Sequence, residues 1–315
     1  MRLAVSMGDP CGIGPEIIVR AAASGKLGEA IVVGDAAVLA RAAAALNLPP
    51  PPHVWAPPGL PEGLVELPLG QVHARAGAAA AACVRGAVAL VQQGAAGALV
   101  TAPLHKAALA AAGEPYPGHT ELLQAMTQPP APVRMMLAND ELRVVLATIH
   151  VSLRRAIALL DAPLVLETLR ITHAALRQWG IAAPRIAVAG LNPHAGEDGL
   201  FGDEEIHHIA PAVAQARAEG MDASGPYPPD TIFMRARRGA FDVVVAMTHD
   251  HGLIPVKYLG VADGVNVTLG LPWVRTSPDH GTAFDIAGRG LADASSLQNA
   301  AALARRLASG QGRSG

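Results

Sequence analysis

Short runs of Val, Ile, Leu and Ala, each closing on a polar cluster, recur along this 315-residue chain. Leu3–Ser6, Ala30–Gly34, Gly97–Thr101, Leu142–Thr148, Arg185–Gly190 and Asp242–Met247 are of this kind. Their length is that of strands, and apolarity without alternation means burial on both faces. Between them lie helical stretches: an Ala-rich one to about Leu46, Ala78–Gln93, Pro163–Trp179, Glu204–Glu219 and a last one over Ser295–Leu307. Strands alternating with helices predict an α/β fold with a parallel or mixed sheet covered on both faces. Val133–Leu137 and Leu142–Thr148 read as a hairpin across Asn139-Asp140, and Ser152 as a helix N-cap. The Pro-rich residues 49–69 read as a stiff connector, Gly225–Thr231 as a rigid loop, and Ser309–Gly315 as a frayed tail.

With 51% hydrophobic and 16% charged residues, a sizeable core is expected rather than disorder. Aromatics make up only 3%, so aliphatic side chains must fill that core. Basic and acidic residues nearly balance, 24 against 26, and no basic run is interleaved with aromatics, which argues against nucleic acid. Two cysteines, Cys11 and Cys83, make neither a disulfide framework nor a cysteine zinc site. The first strand begins at Leu3, and apolar runs are broken before about 18 residues. The expectation is a cytoplasmic protein with no membrane partner.

The stretch Phe241–Gly290 carries most of the chemistry. Its opening strand ends in Thr248-His249-Asp250-His251, and strand ends are where α/β proteins place reactive groups. His150 and His194 share the context of His249, each standing just past an apolar run. Delivered to one sheet edge, the three would make a tris-histidine site for a divalent metal, with Asp250 and Asp230 orienting the rings. Each histidine equally fits a strand-end residue hydrogen-bonded to backbone. Lys257, Asn266 and Arg275 stand in a segment poor in charge, which suits anchors for an anionic ligand. His119-Thr120, after Gly118, is a further polar turn. Near the N-terminus, Met7–Glu16 (MGDPCGIGPE) reads as strand, glycine loop and helix, a geometry that can offer backbone N–H groups to an anion or merely turn the chain.

The run His280–Gly290 (HGTAFDIAGRG) resembles the cofactor loop of isopropylmalate and isocitrate dehydrogenases, HGSAPDIAGxG. That resemblance implies that His280, Gly281, Thr282 and Asp285 hold the adenosine end of NAD, with the Asp285 carboxylate disfavouring a 2′-phosphate. It also explains the absence of a GxGxxG fingerprint. Together, MGDPCGIGPE, TAPLHK, GHTELL, LATIH, GLNPHAGE, PPDTIF, THDHG, VNVTLGLP and RTSPDHGTAFDIAG are similar to the 4-hydroxythreonine-4-phosphate dehydrogenase family of pyridoxal phosphate biosynthesis.

The resemblance implies an isocitrate/isopropylmalate dehydrogenase-like fold, two α/β lobes with a cleft between them. Residues 1–125 with 280–315 would form one lobe. Residues 126–279 would form the other, carrying the metal-binding strands and the dimer interface. It further implies a homodimer with shared active sites and one divalent metal per site (zinc first, with cobalt, manganese or magnesium as alternatives). His150, His194 and His249 would be the ligands. His119, Thr120, Lys257, Asn266 and Arg275 would bind a small anionic substrate, and Lys257, Asp250 and Asp230 would serve catalysis. His251 and Pro278 depart from the common family pattern beside the site. The substrate therefore stays open between 4-hydroxythreonine 4-phosphate, a phospho-threonate or -erythronate, and a terephthalate cis-dihydrodiol. The chemistry expected is NAD-dependent oxidation of a secondary alcohol β to a carboxylate, then loss of CO₂. The base is open among Lys257, His251 and Asp250. Metal-dependent hydrolysis and non-catalytic anion binding are the competing classes.

Overall fold

The computed structural model describes residues 1–260 and 264–310; the expected tail from residue 311 onward lies outside them. The chain opens with β1 (Leu3–Ser6), α1 (Gly14–Ala23), β2 (Ile31–Val33), α2 (Ala36–Leu46), β3 (Val54–Trp55), α3 (Ala74–Gln92), β4 (Ala98–Thr101), α4 (Lys106–Ala111) and α5 (His119–Ala125). It continues with β5 (Arg134–Ala138), β6 (Arg143–Leu146), α6 (Leu153–Leu159), α7 (Ala162–Gln178), β7 (Arg185–Ala189), α8 (Ala210–Ala218), β8 (Asp222–Tyr227), α9 (Ile232–Arg237), β9 (Val243–Ala246), α10 (His249–Tyr258) and β10 (Val265–Leu269). It closes with β11 (Arg275–Pro278) and α11 (Ser295–Ala308). The mixed α/β class expected from the alternation is the one found.

The chain divides into two compact units. Of the described residues, the first comprises Met1–Ala131 and Leu271–Ala308, and the second 132–260, 264–270 and 309–310. In the first, the strands run β3-β2-β1-β4-β11, all parallel. β1 and β4 are buried along their whole length, as their unbroken apolarity requires. The 19-residue α3 is long and apolar enough to pass for a membrane span by composition alone. Its packing is that of a core helix: Ala76, Ala80, Cys83 and Val84 are fully buried, and it lies against β1, β2 and β4.

In the second unit the order is β10-β5-β6-β9-β7-β8. β10 and β6 flank β5 antiparallel, while β6, β9, β7 and β8 run parallel. The β5–β6 hairpin turns where expected, because the Asn139 side chain accepts from the amides of Glu141 and Leu142 at 2.9 and 2.8 Å. A core of Leu137, Val144, Leu146, Ala246, Leu253 and Val256 joins α10 to the sheet. Gly252 sets how close that helix comes: a Cβ there would stand 2.3 Å from Leu146 Cδ2.

Several elements differ from the sequence reading. Gly225-Pro226 falls inside β8, not in a loop, which is tolerated because, among the described residues, β8 pairs only with β7. The Pro-rich connector contains the two-residue β3, paired with β2. The helix expected over 204–219 is found, opening as a π-turn, Glu205–Ile209, that continues into α8. β10 and β11 had no counterpart, since Asn266, Thr268 and Arg275 interrupt their apolar character. β11 pairs with β4, placing Arg275 in the first unit instead of the second, where residues 126–279 were expected.

Gly77 on α3 meets the backbone of α4 directly: a Cβ would lie 2.0 Å from the Ala108 carbonyl oxygen. Gly77→Ala must separate the two helices, so a loss of about 1–3 kcal/mol is expected in urea unfolding, against the small gain an alanine gives an open helix.

Candidate active site

Three adjacent parallel strands deliver the three candidate ligands. β6 pairs with β9 through Val144↔Val244, Val145↔Val245 and Leu146↔Ala246, and β9 pairs with β7 through Val188↔Val245. Their carboxyl ends therefore share one edge, with His150 beyond β6, His249 beyond β9 and His194 beyond β7. The pairing of β6 with β9 continues past the strands. Ala147 N donates to Ala246 O at 2.9 Å, and the Thr148 hydroxyl donates to Met247 O at 2.7 Å. This brings the His150 and His249 rings to 5.6 Å between centroids. They line a cavity of about 270 Å³ together with Thr148, Thr248, Asp250 and His251.

His249 Nδ1 donates to Asp250 Oδ1 at 2.7 Å, which leaves the Nε2 lone pair free to bind a cation. His194 is held differently. It heads a run, His194–Asp198, whose five residues all have left-handed φ/ψ, with φ from 46° to 83°. His150 also has a φ of 52°. For residues other than glycine such backbone costs about 1–3 kcal/mol each and concentrates at functional sites. Among the described residues, no three His, Cys, Asp or Glu side chains are gathered tightly enough to hold a metal. The donor set fits one in type and in edge. His150 and His249 are brought together, while His194 stands on the neighbouring strand's loop outside any such cluster. Asp230 is exposed, just before α9.

The anion-anchor candidates fall in both units. In the second, Lys257 is half-buried near the end of α10, and Asn266 stands on β10 opposite Leu137. In the first, Arg275 is 4% exposed and donates to the Thr101 hydroxyl at 2.6 Å. Burial lowers its pKa to about 10. His119 and Thr120 open α5. His119 is half-buried as a whole, but its Nε2 is closed off from solvent and has no hydrogen-bond partner among the described residues. Burial first, and the Arg275 charge second, push its pKa well below the ordinary histidine value, so the ring is neutral.

The loop after β11 is built against the N-terminal segment. Ile13 N donates to Thr282 O at 3.0 Å, and a Cβ on Gly12 would lie 2.9 Å from that same oxygen. From one face of α1, the Glu16 carboxylate accepts the Gly288 amide, and Arg20 donates to Gly290 O at 2.6 Å. Phe284, where the dehydrogenase pattern has Pro, stacks on His105 at 4.6 Å. Within residues 7–16, the Asp9, Cys11, Gly12 and Ile13 amides all have protein acceptors. Of these, Ile13 holds the second loop, in which His280, Gly281 and Asp285 are exposed and Thr282 is buried. Glu16, Arg20 and Phe284 escaped the sequence reading. An acidic residue in the first turn after a glycine loop was the available signal.

Comparison with known proteins follows this geometry. A family model described as pyridoxal phosphate biosynthetic protein PdxA matches residues 26–304. A 4-hydroxythreonine-4-phosphate dehydrogenase of Beijerinckia indica is 55% identical, over 97% of this chain and 94% of its own. A D-threonate 4-phosphate dehydrogenase of Pectobacterium atrosepticum is 45% identical, over 97% and 99%. The crystal structure of a 4-hydroxythreonine-4-phosphate dehydrogenase from Klebsiella pneumoniae superposes with a TM-score of 0.90 at 46% identity, covering 98% of each chain.

The neutral His119 makes stability depend on pH. Between the unfolded value of about 6.5 and the lower folded value, only the unfolded chain binds this proton. Its contribution is therefore full above pH 6.5 and falls as the pH drops, by at most about 1.4 kcal/mol per unit. Urea midpoints from pH 7 to 5 should fall more steeply for the native protein than for His119→Gln.

Proposed function

Since the chain belongs to the PdxA family of pyridoxal phosphate biosynthetic proteins, we propose that it is an NAD-dependent, metal-dependent dehydrogenase that oxidises and decarboxylates 4-hydroxythreonine 4-phosphate. The observation that carries this reading is the set of three histidines at one edge of three adjacent parallel strands, two of them on left-handed backbone. In the reaction, the carbinol hydrogen leaves as hydride to NAD⁺ and the hydroxyl proton passes to a base. The resulting β-keto acid loses its carboxylate as CO₂, and a proton returns to carbon, giving 3-amino-2-oxopropyl phosphate and NADH.

His150, His194 and His249 would hold a divalent metal, zinc in the first instance, which supplies Lewis acidity toward the substrate oxygens. Asp250 fixes the His249 ring through Nδ1. Lys257, at the end of α10, is assigned the proton transfer, since Asp250 is engaged by His249 and His251 stands exposed. Asp230 is assigned to keeping the metal edge in order. Arg275 with His119, Thr120 and Asn266 is assigned to the substrate's anionic groups. The buried guanidinium gains most from an anion where water cannot screen it. His280, Gly281, Thr282 and Asp285 would take the adenosine end of NAD, the Asp285 carboxylate repelling a 2′-phosphate. A homodimer and a cytoplasmic site of action belong to the same proposal.

A second reading, D-threonate 4-phosphate as substrate, is favoured by the 45% identity to an enzyme of that name. The two substrates differ in an amine against a hydroxyl, so one assay separates them. Purified protein should form NADH with 4-hydroxythreonine 4-phosphate, lose that activity on chelation and regain it with added zinc, cobalt or manganese. Undiminished turnover after chelation would refute the metal role. A higher kcat/KM for D-threonate 4-phosphate would transfer the assignment to the second reading.

A further inference from the structure

Glu205 is 3% exposed, yet it lies in no catalytic role. Its Oε1 accepts the amides of Leu191 and Asn192 at 2.7 and 2.8 Å, and its Oε2 accepts from the Asn192 side chain at 2.9 Å. The same Asn192 side chain also bonds Glu204. These are the residues that lead from β7 into the left-handed run beginning at His194. The carboxylate is enclosed by glycines. A Cβ on Gly190 would lie 2.9 Å from Oε1, one on Gly196 would lie 2.9 Å from Oε2, and one on Gly202 would lie 2.3 Å from Asn192 Nδ2. Two glycines of the loop's own sequence thus leave room for the Glu205 carboxylate, and Gly202 leaves room for the Asn192 side chain that bonds it. Within the turn, Ala195 N donates to Asn192 O, and Phe201 N donates to Gly196 O. Asn192 is therefore tied both to the buried carboxylate and to the strained turn.

We propose that Glu205 is a positioning residue for His194: by fastening Leu191 and Asn192 it holds the left-handed turn in the one conformation that presents the imidazole at the strand edge. The inference rests on the reading of His194 as a metal ligand. Left-handed backbone at four non-glycine positions out of five successive ones does not persist without external restraint. Glu205 supplies that restraint from a separate element, the π-turn that precedes α8. A carboxylate buried for general stability would not need to face the stem of a candidate ligand with both oxygens.

The test is a cobalt(II) titration of the metal-free full chain, followed by the visible absorption of the bound ion. It compares native protein, Glu205→Ala, His194→Ala and the double variant, with thermal unfolding as the control for folding. Glu205→Ala should weaken cobalt binding by about 10–100-fold, the range seen for groups that orient ligands. The double variant should bind no more weakly than His194→Ala, because both changes remove the same donor. Should Glu205→Ala not fold, Glu205→Gln takes its place in the cycle. It keeps an acceptor for the two backbone amides and opposes the Asn192 amide, so a smaller loss with the same non-additivity is expected. Native cobalt affinity in the Glu205 variant, or losses that add in the double variant, would overturn the inference while leaving the histidine reading intact. Native affinity in His194→Ala would overturn both.

Discussion

The parallel register of β6, β9 and β7 is the constraint on which the candidate site depends. Each strand is four or five residues long and almost wholly buried, so its position is fixed by pairing and packing together. Were any of the three antiparallel, its polar end would point to the opposite edge and its histidine would be lost to the set. Pairing residue for residue, as Val145↔Val245 and Val188↔Val245 do, leaves the three chains emerging at nearly the same height. The bonds from Ala147 and Thr148 to the β9 chain then extend that agreement to within two residues of His150. Gly252 lets α10 settle on β6, and so fixes where a helix beginning at His249 can start.

Irregular backbone must be held from outside, and this chain uses the same device twice. Glu205 and Glu16 are carboxylates 3% and 4% exposed, and each uses its Oε1 to accept main-chain amides of a loop outside its own element: Leu191 and Asn192 for Glu205, Gly288 for Glu16. A buried carboxylate is costly unless it is hydrogen-bonded, so the loop and its fastener depend on each other. In the first unit the fastened segment is 282–290, gripped again by Arg20 one helical turn along α1. In the glycine loop at residues 7–16, the Asp9, Cys11 and Gly12 amides are spent on the chain around the loop itself and the Ile13 amide on the second loop. Under the proposed reading, the N-terminal motif contributes to nucleotide binding by shaping the second loop.

The strands that carry the histidines were legible because an uninterrupted apolar run of four to six residues is too short for a buried helix, and the polar cluster after it marks where the sheet ends. Their adjacency was not, since β6 and β9 are separated by about a hundred residues and nothing in either run encodes its neighbour. β8, β10 and β11 were hidden by their composition. β8 contains Gly225-Pro226 at an edge, and the other two carry Asn266, Thr268 and Arg275, side chains that lower a strand's apolar signal while serving other ends. Arg275 is the clearest case. Read as an anchor outside any strand, it is a strand residue buried beside Thr101. The clamp on the His194 turn was equally invisible, because Glu205 looks like one more charge at the start of a helix. Only the spacing of Gly190, Gly196 and Gly202 hinted that something had to fit between them.

Arg275 and His119 show how burial divides labour between two basic side chains. Both lose solvation, and the loss weakens the charged form of each, but the guanidinium starts so high that it stays charged while the imidazole does not. A second positive charge beside Arg275 would be repelled in a region with little water to screen it. The neutral ring can instead donate or accept a hydrogen bond without adding charge. Such a pair, one fixed cation and one neutral polar group, suits a ligand presenting an anion next to uncharged oxygen. Both phosphorylated substrates considered above have that pattern, and they differ only where an ammonium replaces a hydroxyl. Choice between them must therefore come from a group that senses positive charge on the substrate. The Arg275 charge disfavours an ammonium, whereas the neutral His119 ring can accept a hydrogen bond from one.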